Sequence, residues 1–182
     1  MKKTTSGFTI VEILIVVMVI GVLVGIAIVS YNGSRGKARD SIRRTDIANI
    51  VKALETYYSD NGTYPTVNGS GSIKGGNWYT SGDSSWAILQ TTLTTAKVIN
   101  SVPTDPINTS SGYPDGANMY TYGLYVNNST YCGVGAGQMY IILYRFEAQA
   151  KEAVTDGSCA SNELGSVYAS AGASYYRSVK GA

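Results

Sequence analysis

From Phe8 to Val29 the chain reads FTIVEILIVVMVIGVLVGIAIV, a run of 22 residues that is apolar nearly throughout. At 1.5 Å per residue a helix of that length crosses the ~30 Å hydrocarbon core of a bilayer. One residue breaks the pattern. Glu12 places a carboxylate among Val, Ile and Leu. An acidic side chain costs about 2.5 kcal/mol or more near the centre of a span, so an intramembrane carboxylate is a functional residue by default.

Three kinds of segment begin this way. A secretory signal has a charged start, an apolar stretch of about 7–15 residues and a small-x-small cleavage site. Lys2 and Lys3 fit the start and Gly25-Ile26-Ala27 offers a weak site, but the apolar run is too long and holds Glu12. A plain anchor fits the length and leaves Glu12 unexplained. The basic residues Arg35, Lys37, Arg39, Arg43 and Arg44 after the run outnumber Lys2 and Lys3 before it. That count would put the C-terminal part in the cytoplasm. The cysteines say the opposite: Cys132 and Cys159 sit in Gly/Ser/Thr-rich surroundings behind a hydrophobic segment. Such a context points to a disulfide in an oxidising compartment, stabilising the domain by about 3–4 kcal/mol.

The third kind resolves the conflict. Lys2-Lys3, then Gly7-Phe8-Thr9-Ile10-Val11-Glu12, then a long aliphatic run, resembles the class III leader of type IV pilins and pseudopilins. The resemblance implies that a prepilin peptidase cuts between Gly7 and Phe8 and N-methylates Phe8. The span then stays in the cytoplasmic membrane with the domain outside, until the subunit enters an extracellular filament. The resemblance gives Glu12 a role in assembly register, pairing with the Phe8 ammonium of a neighbour. Cleavage would place that ammonium four residues before Glu12, in the first helical turn, where the helix dipole and free N–H groups also favour a carboxylate. A paired charge in a low dielectric fixes orientation without having to add stability.

The rest of the chain is consistent with a stem and a head. From Ala38 the apolar residues Ile42, Ile47, Ile50, Val51, Leu54, Tyr57 and Tyr58 form a helical stripe. The charges Arg39, Asp40, Arg43, Arg44, Asp46, Lys52 and Glu55 are expected on a solvated face. Asn61-Gly62 marks the helix end. One helix of ~80 Å, bent near Gly33, is therefore expected from Phe8 to about Ser59. Pilins often carry a proline late in the apolar half; here Val29 stands there, and any helix melting would have to use Gly21 and Gly25. The stretch YYSDNGTYP matches the pattern that leaves the stem in the same families. Trp86, Leu89, Leu93 and Ala96 suggest a short helix leading through Pro103-Thr104-Asp105-Pro106 toward a sheet. Strands are expected in NMYTYGLYV, in QMYIILYRFE, and in LGSVYAS or ASYYRSV.

The expected fold is α+β: a long N-terminal helix packed on a small antiparallel sheet head, pilin-like. Its parts are a leader (1–7), a transmembrane or filament-core helix (8–29), the amphipathic half of the stem (30–60) and a head (61–182) with a disulfide-bonded C-terminal region. No enzyme and no cofactor is expected: the chain has no histidine, no free nucleophilic cysteine and no phosphate-cradling loop. Asp105 and Asp115 bracket PINTSSGYP and are calcium candidates, with only two carboxylates in reach. Most of the fifteen tyrosines are expected in packing, an exposed subset in adhesion. From Asn61 onward six basic residues face seven acidic ones, so the head is not a strong nucleic-acid binder. The functional expectation is a type IV pilus subunit, with its own copies, the peptidase, the assembly machinery and the membrane as partners. The alternatives are a pseudopilin of a secretion or competence system, or a membrane-anchored or secreted binding module.

Overall fold

The computed structural model describes residues 7–66, 78–109, 119–159 and 172–180, with side chains 27–32 set aside. Helix α1 (Ile10–Asn61) runs unbroken through all of its glycines. Its 52 residues are ~78 Å long. It stops where the sequence says it should. Gly62 takes the left-handed conformation at φ 72°, and its N–H donates to the Tyr58 carbonyl at 2.7 Å. The second helix, α2 (Ser85–Thr95), buries Trp86, Leu89 and Leu93, one face of its 3.6-residue period.

Five strands make the sheet: β1 (Trp78–Thr80), β2 (Gly123–Val126), β3 (Met139–Tyr144), β4 (Ala153–Asp156) and β5 (Ser174–Val179). Their order is β1-β2-β3-β5-β4, antiparallel except for β4 beside β5. The α+β class therefore stands, and the sheet is mixed through that one parallel pair. Strands β2, β3 and β5 lie in stretches the sequence marked; LGSVYAS lies outside the described residues. The β1 and β4 strands carried no clear signal, because each is a short edge strand of three or four residues.

Period-two alternation on β3 explains why the sheet is buried on both faces. Tyr140, Ile142 and Tyr144 join the core formed with Ile47, Ile50 and Leu54 of α1 and Leu89 and Leu93 of α2. Met139, Ile141 and Leu143 point the other way, into a smaller cluster with Trp78, Val134, Val179 and Cys132. Cys132 and Cys159 are disulfide-bonded with Cα atoms 4.5 Å apart. That bond fixes the chain after β4 to the face away from the stem. Tyrosines do much of the packing: Tyr64 stacks edge-on to Tyr140 at 4.6 Å, and Tyr58 lies 4.7 Å from Tyr64.

Two glycines are required for different reasons. Gly62 needs only its positive φ, with open space where a Cβ would go; Gly157, at φ 79°, would put a Cβ 2.3 Å from the Val179 carbonyl oxygen. Gly62→Ala is expected to lower head stability by about 1–2 kcal/mol, the cost of a left-handed L-residue. Gly157→Ala should cost distinctly more, because β4 must also separate from β5. Urea denaturation followed by the fluorescence of Trp78 and Trp86 measures both.

Candidate functional site: an uncovered apolar helix half and the ionic hub between stem and head

Among the described residues, nothing from the head covers the segment from Phe8 to Ile26. Phe8 is 80% exposed, Ile10 81% and Ile26 still 65%. Helices in water hide such a face against a core; this one is apolar all round and uncovered, as a helix meant for lipid or for other helices must be. Among the described residues no helix is long and apolar enough to cross a membrane. The side chains described in this half of α1 end at Ile26, short of the full Phe8–Val29 run.

Glu12 lies in the first turn of α1, as the sequence indicates, with a contact the sequence reading missed. Thr9 is the N-cap residue: its hydroxyl accepts from the Glu12 N–H at 3.2 Å, and the Glu12 carboxylate accepts from the Thr9 N–H at 3.5 Å. This reciprocal capping box needs Ser/Thr followed three residues later by Glu or Gln, and Thr9-Ile10-Val11-Glu12 is such a tetrad. The carboxylate thus has an intramolecular partner within its own first turn. Gly7 and Phe8 precede the helix, exposed and outside regular structure.

The charges of the stem's second half are where the structure departs most from expectation. Asp40 and Arg43 are completely buried, while Ile42, assigned to the apolar stripe, is 49% exposed. The buried stripe is Asp40, Arg43, Ile47, Ile50 and Leu54, still helical in spacing but ionic at its lower end. Arg43 engages Asp105 side-on, Nε at 2.6 Å and Nη2 at 3.0 Å. Its Nη1 donates to Asp40 at 2.8 Å and to Glu147 at 2.6 Å. Arg39 donates its Nε to the same Glu147 at 2.7 Å. Three carboxylates face two guanidiniums, and backbone N–H groups offset the excess. Asp40 accepts from Glu147, Ala148 and Gln149 at 2.9, 2.8 and 3.1 Å, and Asp105 accepts from Ile107 at 2.8 Å. The Tyr120 ring lies 4.9 Å from the Arg43 guanidinium.

The electrostatics follow from these contacts. Burial works against the Arg43 charge, and its hydrogen bonds to Asp105 and Glu147 outweigh that, so its pKa moves up. The hydrogen bond from Arg39 holds the Glu147 carboxyl below its ordinary value of 4.5 despite partial burial. Asp46 moves the other way, raised by burial against a weaker opposing hydrogen bond from Tyr122. A smaller cluster closes the top of the stem. Glu55 accepts from the Tyr64 and Tyr140 hydroxyls at 3.0 and 3.2 Å and pairs with Lys180 at 3.1 Å.

Of the two calcium candidates, Asp105 commits both oxygens to Arg43 and Asp115 lies outside the described residues. Among the described residues no cluster of three or more acidic, His or Cys side chains could hold a metal.

With its capped, bare N-terminal half and a small α+β head, the chain has the form of a pilin-type subunit. A family model for the prokaryotic N-terminal methylation motif matches residues 2–28. The chain is 34% identical to the type II secretion system core protein G of Aeromonas hydrophila over 66 residues, 36% of this chain and 46% of that one. It is 37% identical to the protein of the same name from Vibrio cholerae over 67 residues, 37% and 45% of the two chains. The fimbrial protein EcpC of Eikenella corrodens is 32% identical over 73 residues, 40% and 48% of the chains. The chain thus spans less than half the length of the curated relatives it matches. No solved structure matches it. The motif and the relatives support the type IV pilin and pseudopilin family, whose members are filament subunits and not enzymes.

Removing Arg43 strands buried Asp40 and Asp105, so Arg43→Ala should destabilise the head by about 3–5 kcal/mol in urea denaturation. The pH dependence follows from Glu147. Its folded pKa lies below its unfolded value, so the stability it contributes is present above pH 4.5 and is lost as pH falls through the folded pKa. Melting temperatures taken from pH 6 down to 3 should fall, and Glu147→Gln should fall less steeply over that interval.

Proposed function

We propose that this chain is a structural subunit of the pseudopilin kind, made with a short leader and polymerised through α1 into a filament that serves protein secretion. The observation that carries the reading is the methylation motif at residues 2–28 placed on a helix half that is apolar and uncovered. The relatives named for type II secretion favour this over the pilus subunit expected from the sequence. In this reading leader removal opens the Gly7–Phe8 bond, Phe8 is methylated, and Glu12 sets the register against a neighbour's new ammonium. The subunit waits in the cytoplasmic membrane with its head outside. That placement agrees with the Cys132–Cys159 disulfide, which needs an oxidising compartment.

A type IV pilus subunit is the second reading. It is supported by the match to a fimbrial protein and by the disulfide-bonded C-terminal region. Motility and adhesion belong to that reading; DNA uptake fits it and a competence pseudopilin alike. Filaments sheared from the cell surface and containing this chain would favour it; filaments confined to the periplasm favour the pseudopilin.

Mass spectrometry of the N-terminus of the chain from its host membranes tests both together. The expected product begins at Phe8 and carries one added methyl group; an intact Met1, or a start after Ala27, contradicts it. In the same host, Glu12→Ala should still be cut at Gly7–Phe8 and should fail to enter filaments. Normal incorporation of that variant removes the pairing role of Glu12.

A further inference from the structure

The capping box lies two residues from the bond that the proposed function has cut, and its position has a consequence for that cut. Hydrolysis adds the oxygen of water to the Gly7 carbonyl carbon, breaks the bond to the Phe8 nitrogen and leaves a carboxylate on Gly7 and both protons of the water on the Phe8 nitrogen, now an ammonium. Attack needs the Gly7 carbonyl oxygen free to be polarised by the peptidase. In a helix each carbonyl accepts from the N–H four residues on, and the N-cap carbonyl already accepts the first of these bonds. In this structure the first is Ile13 N–H to the Thr9 carbonyl, at 3.3 Å.

A second starting point competes with this one. Glycine is itself an acceptable N-cap, about as good as threonine by side chain alone. Were Gly7 the cap, the helix would begin at Phe8, and the scissile carbonyl would accept from the Val11 N–H. Only the Thr9 start places a Glu at the third helical position; a Gly7 start would place Ile10 there. The reciprocal bonds between Thr9 and Glu12 thus select the register that leaves Gly7 outside the helix. Thr9 has β-region dihedrals, φ −81° and ψ 151°, and Gly7 and Phe8 before it are exposed.

We propose that Thr9 is a positioning residue for leader removal: its capping box with Glu12 begins the helix after the Gly7–Phe8 bond and keeps the Gly7 carbonyl free for attack. The proposal rests on the processing reading given above. It also gives Glu12 work before assembly: Glu12→Ala, still cut to completion in the host, should be cut more slowly than wild type in a timed assay, because Thr9 keeps only its own half of the capping box.

The test uses the full-length chain in detergent micelles with a prepilin peptidase, following loss of Met1–Gly7 by mass spectrometry. Thr9→Val keeps the shape and loses the acceptor; Thr9→Ala loses both; Thr9→Ser and Thr9→Asn keep a capping oxygen with a different shape. Cleavage kcat/KM should fall about fivefold in the Val and Ala variants, and should match or exceed wild type in the Ser and Asn variants. In the uncut Val variant the Gly7 carbonyl 13C shift should move toward the helical value, which it should not do in the Ser variant. Rates that follow side-chain shape, with Val cut like wild type and Asn cut slowly, overturn the proposal. So does a Gly7 shift that is the same in all variants. A wild-type chain that is not cut at Gly7–Phe8 removes the processing reading itself, and the wild-type control separates that failure from the others.

Discussion

The angle of the head on the stem is fixed by one cluster of charges, buried Arg43 with buried Asp40 and Asp105 and the partly exposed Glu147. These groups come from three distant parts of the sequence: α1, the VPTDP stretch and the loop after β3. A hydrophobic contact between the same surfaces would tolerate sliding, because apolar burial is non-directional. A bidentate guanidinium–carboxylate pair does not slide, since both bonds are lost within an ångström or so of misalignment. The net stability gained from such a cluster is small once desolvation is counted. What it contributes is a single docking angle. For a subunit repeated along a filament, that angle decides where every head points.

The hub also divides α1 by chemistry. Above it Ile47, Ile50 and Leu54 are covered by the sheet and by α2. Below it no described residue of the head covers Phe8 to Ile26, and past Glu12 the side chains there are apolar on every face. One helix therefore has two halves of different character: its upper half belongs to the head's core, and the described side chains of its lower half are apolar and uncovered. The Asp40 carboxylate, held by three successive backbone N–H groups, marks the boundary.

Most of this plan was legible in the sequence, for identifiable reasons. The long helix, its Asn61-Gly62 stop, the short helix around Trp86 and Leu89, and the strands in NMYTYGLYV and QMYIILYRFE carry strong period or cap signals, while ASYYRSV is one of two stretches that suit a third strand. The hub was not legible. Asp40 and Arg43 read as a solvated face because charges on a helix usually are, and because their partners Asp105 and Glu147 lie 60 to 110 residues away in chain order. Ile42 was assigned inward for the same reason, on residue type, when the stripe had turned one position toward Arg43. One clue is in the spacing: with Ile47 and Ile50, Asp40 and Arg43 continue the helical period of the buried face. The capping box is legible as Thr-x-x-Glu in Thr9-Ile10-Val11-Glu12. The edge strands β1 and β4 were short enough that their sequences carry no pattern.

Electron cryomicroscopy of filaments formed by this chain tests the account most directly. The account predicts stems from Phe8 to Ile26 packed against one another in the filament core, with each head outside and docked on its own stem through Arg43. Filaments in which the heads form the core, or in which Arg43 and Asp105 of one subunit are separated, would contradict it.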